Sequence, residues 1–144
     1  MQAETQTKSE ILDLMNEYKK AYAEKNINSI IKIIPEDDDM IFVGSGQDEW
    51  VQGFEEIKKG FERDFEQADS INIEFSKIPV FGNGNVAWTT TTMNMEIKIN
   101  GNDLNLNGRL SVVFEKRNDN WLIVQLHYSM AVVEQKTGQS YPNK

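Results

Sequence analysis

The sequence predicts an α+β fold: three helices in the N-terminal half, set against a sheet of hairpin-connected strands. Three observations carry this. Apolar residues recur at steps of three and four up to about residue 68. From Ser70 onward the period changes to two. The strand-like runs are separated by Asn/Gly-rich pairs that suit tight turns. Helices followed by successive antiparallel strands are the α+β pattern.

The first helix is announced by Thr7 and Glu10, which have capping-box spacing. Ile11, Leu14, Met15, Tyr18, Ala21 and Tyr22 then form one apolar stripe, opposite Asp13, Glu17, Lys20 and Glu24. Asn26 or Asn28 caps a second, shorter helix that buries Ile27, Ile30, Ile31 and Ile34 before Pro35 stops it. After the acidic run Glu36 to Asp39, Met40 to Val43 reads as a short buried strand, and Gly44 and Gly46 as a turn. A third helix starts near Gly53 and presents Phe54, Ile57, Phe61, Phe65 and Ala68.

Ile71, Ile73 and Phe75 alternate with Asn72 and Glu74 in the next strand. Ile78, Val80 and Phe81 break that phase, which predicts a bulge near Ser76 to Pro79. Gly82 to Asn85 is a hairpin turn into a long strand, Val86 to Ile99. Asn100-Gly101 turns into Leu104 to Lys116, where Gly108 marks a kink, and Asn118 to Asn120 turns into Trp121 to Val133. Long strands with bulges suit a strongly bent sheet, and such a sheet wrapped around the helices encloses a pocket. No linker or repeat divides the chain. One domain over 1–144 is expected, with a core of about 9–133 and a polar tail 134–144.

Composition then removes much of chemistry. A net charge of −8 disfavours a nucleic-acid backbone or an anionic membrane as partner. Zero cysteines exclude disulfides, thiolate catalysis and Cys-ligated metal, and a single histidine excludes a multi-His metal site within one chain. Met1 to Glu10 lacks an apolar stretch of the signal-peptide kind, and no run approaches the ~18 residues of a membrane span. A cytoplasmic protein without metal or cofactor is the expectation. Glu36 to Asp39 lacks the glycine and distal glutamate of a calcium loop and reads as a solvated loop. Gly44-Ser45-Gly46 lacks the third glycine of a dinucleotide fingerprint.

Several strings resemble the SnoaL-like branch of the nuclear transport factor 2-like superfamily, near the association domain of calmodulin-dependent kinase. They are Ile41 to Gly46, Glu49 to Ile57, Val86-Ala87-Trp88, Gly108 to Phe114, and Asn120 to Ser129. The resemblance implies a cone-shaped fold, a pocket between helices and concave sheet, and a homodimer through the outer sheet face. It implies no single activity, because members include ketosteroid isomerase, dehydratases, polyketide cyclases and assembly hubs. It also implies that the position of Tyr128 points into the pocket. The arginines with which the kinase association domain holds anions correspond to Val112 and Tyr128, so that ligand class is not expected.

Candidate site residues follow. Tyr18, Tyr22, Phe42, Trp50, Phe61, Phe65, Trp88, Met95 and Tyr128 supply aromatic and soft apolar surface for a small apolar ligand, or else plain core. His127 is the only histidine, the residue type whose unperturbed pKa lies near neutrality, and with Tyr18 and Tyr128 it is the candidate for acid–base work. Strict alternation in the last strand puts His127 on the outer face, opposite Leu122, Val124, Leu126 and Tyr128. Arg109 is a candidate anion contact, or a sheet-edge ion pair. The tyrosines can donate to an oxyanion, but Asp64 and Glu62 read as lying away from the third helix's Phe stripe, so no catalytic set is complete. One inward pair of Thr89 to Thr92 adds hydroxyls to the pocket, or simply fills the strand. Trp121, Ile123, Val113 and Trp88 are expected to leave an apolar outer face that pairs with a second copy. Three functions remain in play: a small-molecule binding domain, a proton-transfer enzyme acting on a hydrophobic carbonyl compound, and an assembly domain.

Overall fold

Helix α1 (Thr5–Glu24) buries Ile11, Leu14, Met15, Tyr18, Ala21 and Tyr22, the full predicted stripe. The computed structural model describes residues 1–142. The helix begins before the expected capping box and has no side-chain cap. Glu10 instead accepts a 2.8 Å hydrogen bond from Trp121 Nε1 and faces Lys116 at 3.7 Å. Those contacts tie α1 to the far end of the chain. Lys25, at φ 51°, reverses the chain, and the N–H groups of Lys25 and Asn26 return to Tyr22 and Ala21. Asn26 Oδ1 then accepts from Ser29 N and caps α2 (Ile27–Ile31).

Strands β1 (Ile41–Val43) and β2 (Trp50–Gln52) form a short hairpin before α3 (Phe54–Gln67). Gly53 enters α3 at φ 86°, and its N–H donates to Met40 O at 2.8 Å. The acidic run is held as well. Asp37 accepts two hydrogen bonds, at 2.9 and 2.8 Å, from the guanidinium of Arg117, which holds its carboxyl below the usual range. That loop closes on the guanidinium of Arg117.

The sheet runs β2-β1-β7-β6-β5-β3, with β4 also on β5. Its long members are β3 (Ser70–Phe75), β5 (Val86–Ile99), β6 (Asn102–Arg117) and β7 (Asn120–Met130), and β4 covers Phe81–Asn83. Two-residue turns with positive φ at both positions, Asn100-Gly101 and Asn118-Asp119, join β5 to β6 and β6 to β7. The sheet is mixed rather than all antiparallel, because β1 pairs parallel with β7. Residues 131–142 add no helix or strand, and Asn143 and Lys144 of the expected tail lie outside the described residues.

Two irregularities differ from the sequence expectation. Between Phe75 and Phe81 five residues span only Thr89 to Thr92 of β5, with Ser76 N still donating to Thr92 O at 3.3 Å, so the expected bulge widens into a gap and β3 and β4 pair separately with β5. Thr89 and Thr91 do face inward, but they serve this gap. Thr89 donates to Pro79 O and Thr91 to Lys77 O. Neither hydroxyl reaches the cavity described below.

The second irregularity lies in β7. Val113 pairs with Gln125 and Phe114 with Ile123, so Val124 is a bulge without a partner. One extra residue switches the inward set from Trp121 and Ile123 to Leu126 and Tyr128. Trp121 and Ile123, expected on the outer face, are therefore core residues at 7% and 0% exposure. The apolar part of the outer face is then half-buried Trp88 with Phe81 stacked on it, Val43, Val113, Leu122 and Val124, and exposed Val86.

Candidate functional site

Helices α1 and α3 and the inner sheet face leave a cavity of about 490 Å³. Its buried walls are Tyr18 and Tyr22 from α1, Ile57 and Phe61 from α3, Phe42 from β1, Met93 and Met95 from β5, and Leu126 and Tyr128 from β7. Helical spacing accounts for the first four, since Tyr18 and Tyr22, like Ile57 and Phe61, stand one turn apart. The rings interlock. Tyr18 and Tyr22 centroids lie 5.1 Å apart, and Phe61 meets Tyr18, Tyr22 and Phe42 edge-on at 6.1–6.3 Å.

The polar members belong mostly to one face of α3 and to the loop after β1. Glu56, Lys59, Gly60, Arg63, Asp64 and Gln67 line the cavity from α3, and Ser45, Asp48 and Glu49 from the loop. The exposed members form its rim. Arg63 Nη1 pairs with Asp48 at 2.8 Å and Lys59 with Glu56 at 3.1 Å. Glu49 folds its carboxylate back into the Gly44-Ser45-Gly46 turn and accepts from Gly46 N at 2.9 Å. A side chain at Gly44 or Gly46 would occupy the space of that carboxylate, which is why the turn carries glycines.

Below the rim, the Tyr22 hydroxyl donates a 2.7 Å hydrogen bond to Asp64 Oδ2. Burial pushes the Asp64 carboxyl above the usual aspartate range, the Tyr22 hydrogen bond pulls it back, and the charge of Glu49 raises it further. The phenols of Tyr18 and Tyr22 are pushed far up by burial, so both are neutral donors at any biological pH. Tyr128, also raised by burial, reaches Met93 O at 3.5 Å. Its ring lies over Gly108, where a β-carbon would collide with it. The arrangement joins an apolar chamber to three phenols and one carboxylate. It can seat a small hydrophobic molecule and offer hydrogen bonds to a single polar group on it.

The sequence candidates divide. Tyr18, Tyr22, Phe42, Phe61, Met95 and Tyr128 line the cavity. Phe65 is buried behind Tyr22, at 5.0 Å between centroids, and does not reach it. Trp50 is 69% exposed on edge strand β2 and is not a wall residue, because Val51 takes the inward position. Trp88 stacks on Phe81 at 6.4 Å on the other side of the sheet. His127 is exposed on that same outer face, beside Val43 and Ser111, and Arg109 is exposed there between Thr92 and Ser129. Neither lines the cavity. Among the described residues no group of three or more His, Asp or Glu is placed to hold a metal ion, and no helix is long and apolar enough to cross a membrane.

Asp64 is the residue that sequence reasoning missed. The signal was present: Ile57, Phe61, Asp64 and Ala68 step by four, three and four, which puts the carboxylate in the buried stripe rather than beside it.

The sequence model of the SnoaL-like domain matches residues 11–133. No curated protein matches the sequence. Solved structures do. A nuclear transport factor 2-like superfamily protein from Salmonella enterica serovar Typhimurium aligns over 96% of this chain and 100% of its own, with a TM-score of 0.85 at 19% identity. A nuclear transport factor 2-like protein of unknown function from Pseudomonas putida aligns over 97% and 95%, at 0.79 and 16%. A Xanthomonas campestris protein, assigned by name to the calcium/calmodulin dependent protein kinase II association domain, aligns over 86% and 87%, at 0.75 and 20%. At such identities the likeness speaks for the fold alone, and it is the same open α+β cone in each. With nearly the whole core covered by the family pattern, the chain belongs to the SnoaL-like domain family.

Proposed function

We propose that this chain is a single-domain, cytoplasmic binding protein for a small, largely apolar molecule, held between α1, α3 and the inner sheet face. One observation carries the reading: a cavity of about 490 Å³ remains open within walls that are otherwise closely packed aromatic and aliphatic side chains. A void of that size lined by apolar groups forfeits packing that a folded core would ordinarily take up. Three neutral phenols and Asp64 give such a ligand its orientation. Titration with 2-naphthol, followed by the ligand's own fluorescence, tests this. Saturable one-to-one binding is expected. A panel of naphthalene-sized apolar compounds with no saturable binder would overturn it.

In the same proposal, two copies pair through the outer sheet face. Half-buried Trp88, Val113, Leu122 and Val124 support this, with exposed Trp50 at the edge. Sedimentation velocity at micromolar concentration should give twice the 16.6 kDa chain mass. A single-chain species would sink the dimer, and a larger ring would favour the assembly reading.

The Tyr22–Asp64 hydrogen bond supports a second reading, proton transfer on a hydrophobic carbonyl compound. Asp64 would take a proton from the carbon next to the carbonyl while the Tyr18 hydroxyl donates to the enolate oxygen. Proton–deuterium exchange of 2-tetralone in D2O, read by NMR, addresses it. Enhancement over buffer that vanishes in Asp64→Asn is expected, and exchange equal to buffer refutes it.

A further inference from the structure

The charged groups around the cavity do not balance, and this bears on what enters it. Four carboxylates line it, those of Asp48, Glu49, Glu56 and Asp64, against two cations, Lys59 and Arg63. Both cations are already engaged, Arg63 with Asp48 and Lys59 with Glu56. Neither Glu49 nor Asp64 makes an ion pair among the described residues. Both are half-buried, at the boundary between the charged rim and the apolar walls. The charge of Glu49 makes Asp64 harder to ionise, and the Arg63 guanidinium makes it easier.

Resting on the reading of this cavity as a ligand site, we propose that its occupant is an apolar amine. Its protonated nitrogen sits at Asp64 and Glu49, and its hydrocarbon body lies against Phe42, Phe61, Met95 and Leu126. Arg63, committed to Asp48, lends the two carboxylates only part of a counter-charge, and a ligand cation adds to it in surroundings where charges are poorly screened by water. Where the rings of Tyr18, Tyr22 and Phe61 turn a face to the cavity, its negative π density adds a further attraction. The hydrogen bond from Tyr22 fixes the Asp64 carboxylate before the ligand arrives, which limits the ordering cost of binding. A carboxylic acid of the same shape meets two unpaired negative charges and no free cation. A neutral alcohol keeps the apolar contacts and leaves the carboxylates uncompensated.

The matched trio 4-phenylbutylamine, 4-phenylbutan-1-ol and 4-phenylbutyrate, titrated calorimetrically into the full-length protein near neutral pH, separates these cases. The amine is expected to bind at least about tenfold more tightly than the alcohol, with the carboxylate weakest. In Asp64→Asn the amine should fall to within about threefold of the alcohol titrated into the same variant. Glu49→Gln provides a second variant, at the rim, if Asp64→Asn does not fold, and it should narrow the same gap. A carboxylate that binds as tightly as the amine overturns the proposal. So does an amine advantage that survives both substitutions, or an alcohol that equals the amine. If none of the three binds, the ligand-site reading falls and this proposal falls with it. Binding by the alcohol without an amine advantage removes the amine alone.

Discussion

The ring of Tyr128 lies on the backbone of Gly108, in space that any other residue at 108 would fill with its own β-carbon. Glycine there is a seat for a side chain from the neighbouring strand, and the seat sets how far Tyr128 leans into the cavity. Gly108→Ala should cost about 1–3 kcal/mol, the usual penalty for overpacking. The same substitution in a Tyr128→Leu background should cost much less, because the ring is gone. Urea unfolding of the four-member cycle checks this. Equal costs in both backgrounds would show that the two residues do not interact.

Gly60 lies on the cavity-facing side of α3, and nothing stands within 4 Å of where its β-carbon would be. Gly60→Ala should therefore stabilise the protein by about 0.5–1 kcal/mol through helix propensity alone. Gly60→Trp should fold as well but obstruct the cavity. The expected signature is a preserved thermal midpoint with 2-naphthol affinity lowered about tenfold or more.

Asp64 holds its proton more tightly in the folded chain than in the unfolded one, where an aspartate titrates near about 3.9. From that value up to its raised folded value the native state binds more protons. Stability contributed by this group is present at low pH and lost as pH rises through that window. Asp64→Asn cannot ionise, so it should gain on the wild type as pH rises from about 4 and level off above the folded value. Urea midpoints of both proteins across this range test the sign. Parallel curves would count against it.

The bulge at Val124 makes a prediction that strict alternation reverses. Ile123 is fully buried and Leu122 only half so. Ile123→Ala should cost about 2–5 kcal/mol, as for other buried aliphatic truncations, and Leu122→Ala well under half as much. Equilibrium unfolding ranks the two directly.

Most of the scaffold was legible because it follows from short-range chemistry. The α1 stripe, the Gly53 entry to α3 and the Asn100-Gly101 and Asn118-Asp119 turns each rest on a few adjacent residues. What escaped depended on long-range events. No local signal marks Val124 as the extra residue in β7, since Leu122, Ile123 and Val124 are equally apolar and the choice is made by pairing with β6. The exposure of Trp50 likewise follows from β2 being an edge strand, a fact of topology. Asp64 is a different case. Its place in the stripe follows from spacing, but a carboxylate beside phenylalanines reads as a surface group until its hydrogen-bond donor is known. The Tyr22 hydroxyl that satisfies it comes from a helix forty-two positions away.

The parallel pairing of β1 with β7 has a consequence for the order in which the molecule assembles. Strands β5, β6 and β7 are joined by two-residue turns and can zip from their ends at little entropic cost, whereas Phe42 must find Leu126 across most of the chain. This topology predicts that the meander forms early and that the helical half docks onto it late. The cavity, walled by both halves, is then the last feature to be completed. A ligand held there should slow unfolding and leave the refolding rate almost untouched. Stopped-flow kinetics with and without 2-naphthol would read this as a shift confined to the unfolding arm, and an accelerated folding arm would place the chamber in the nucleus instead.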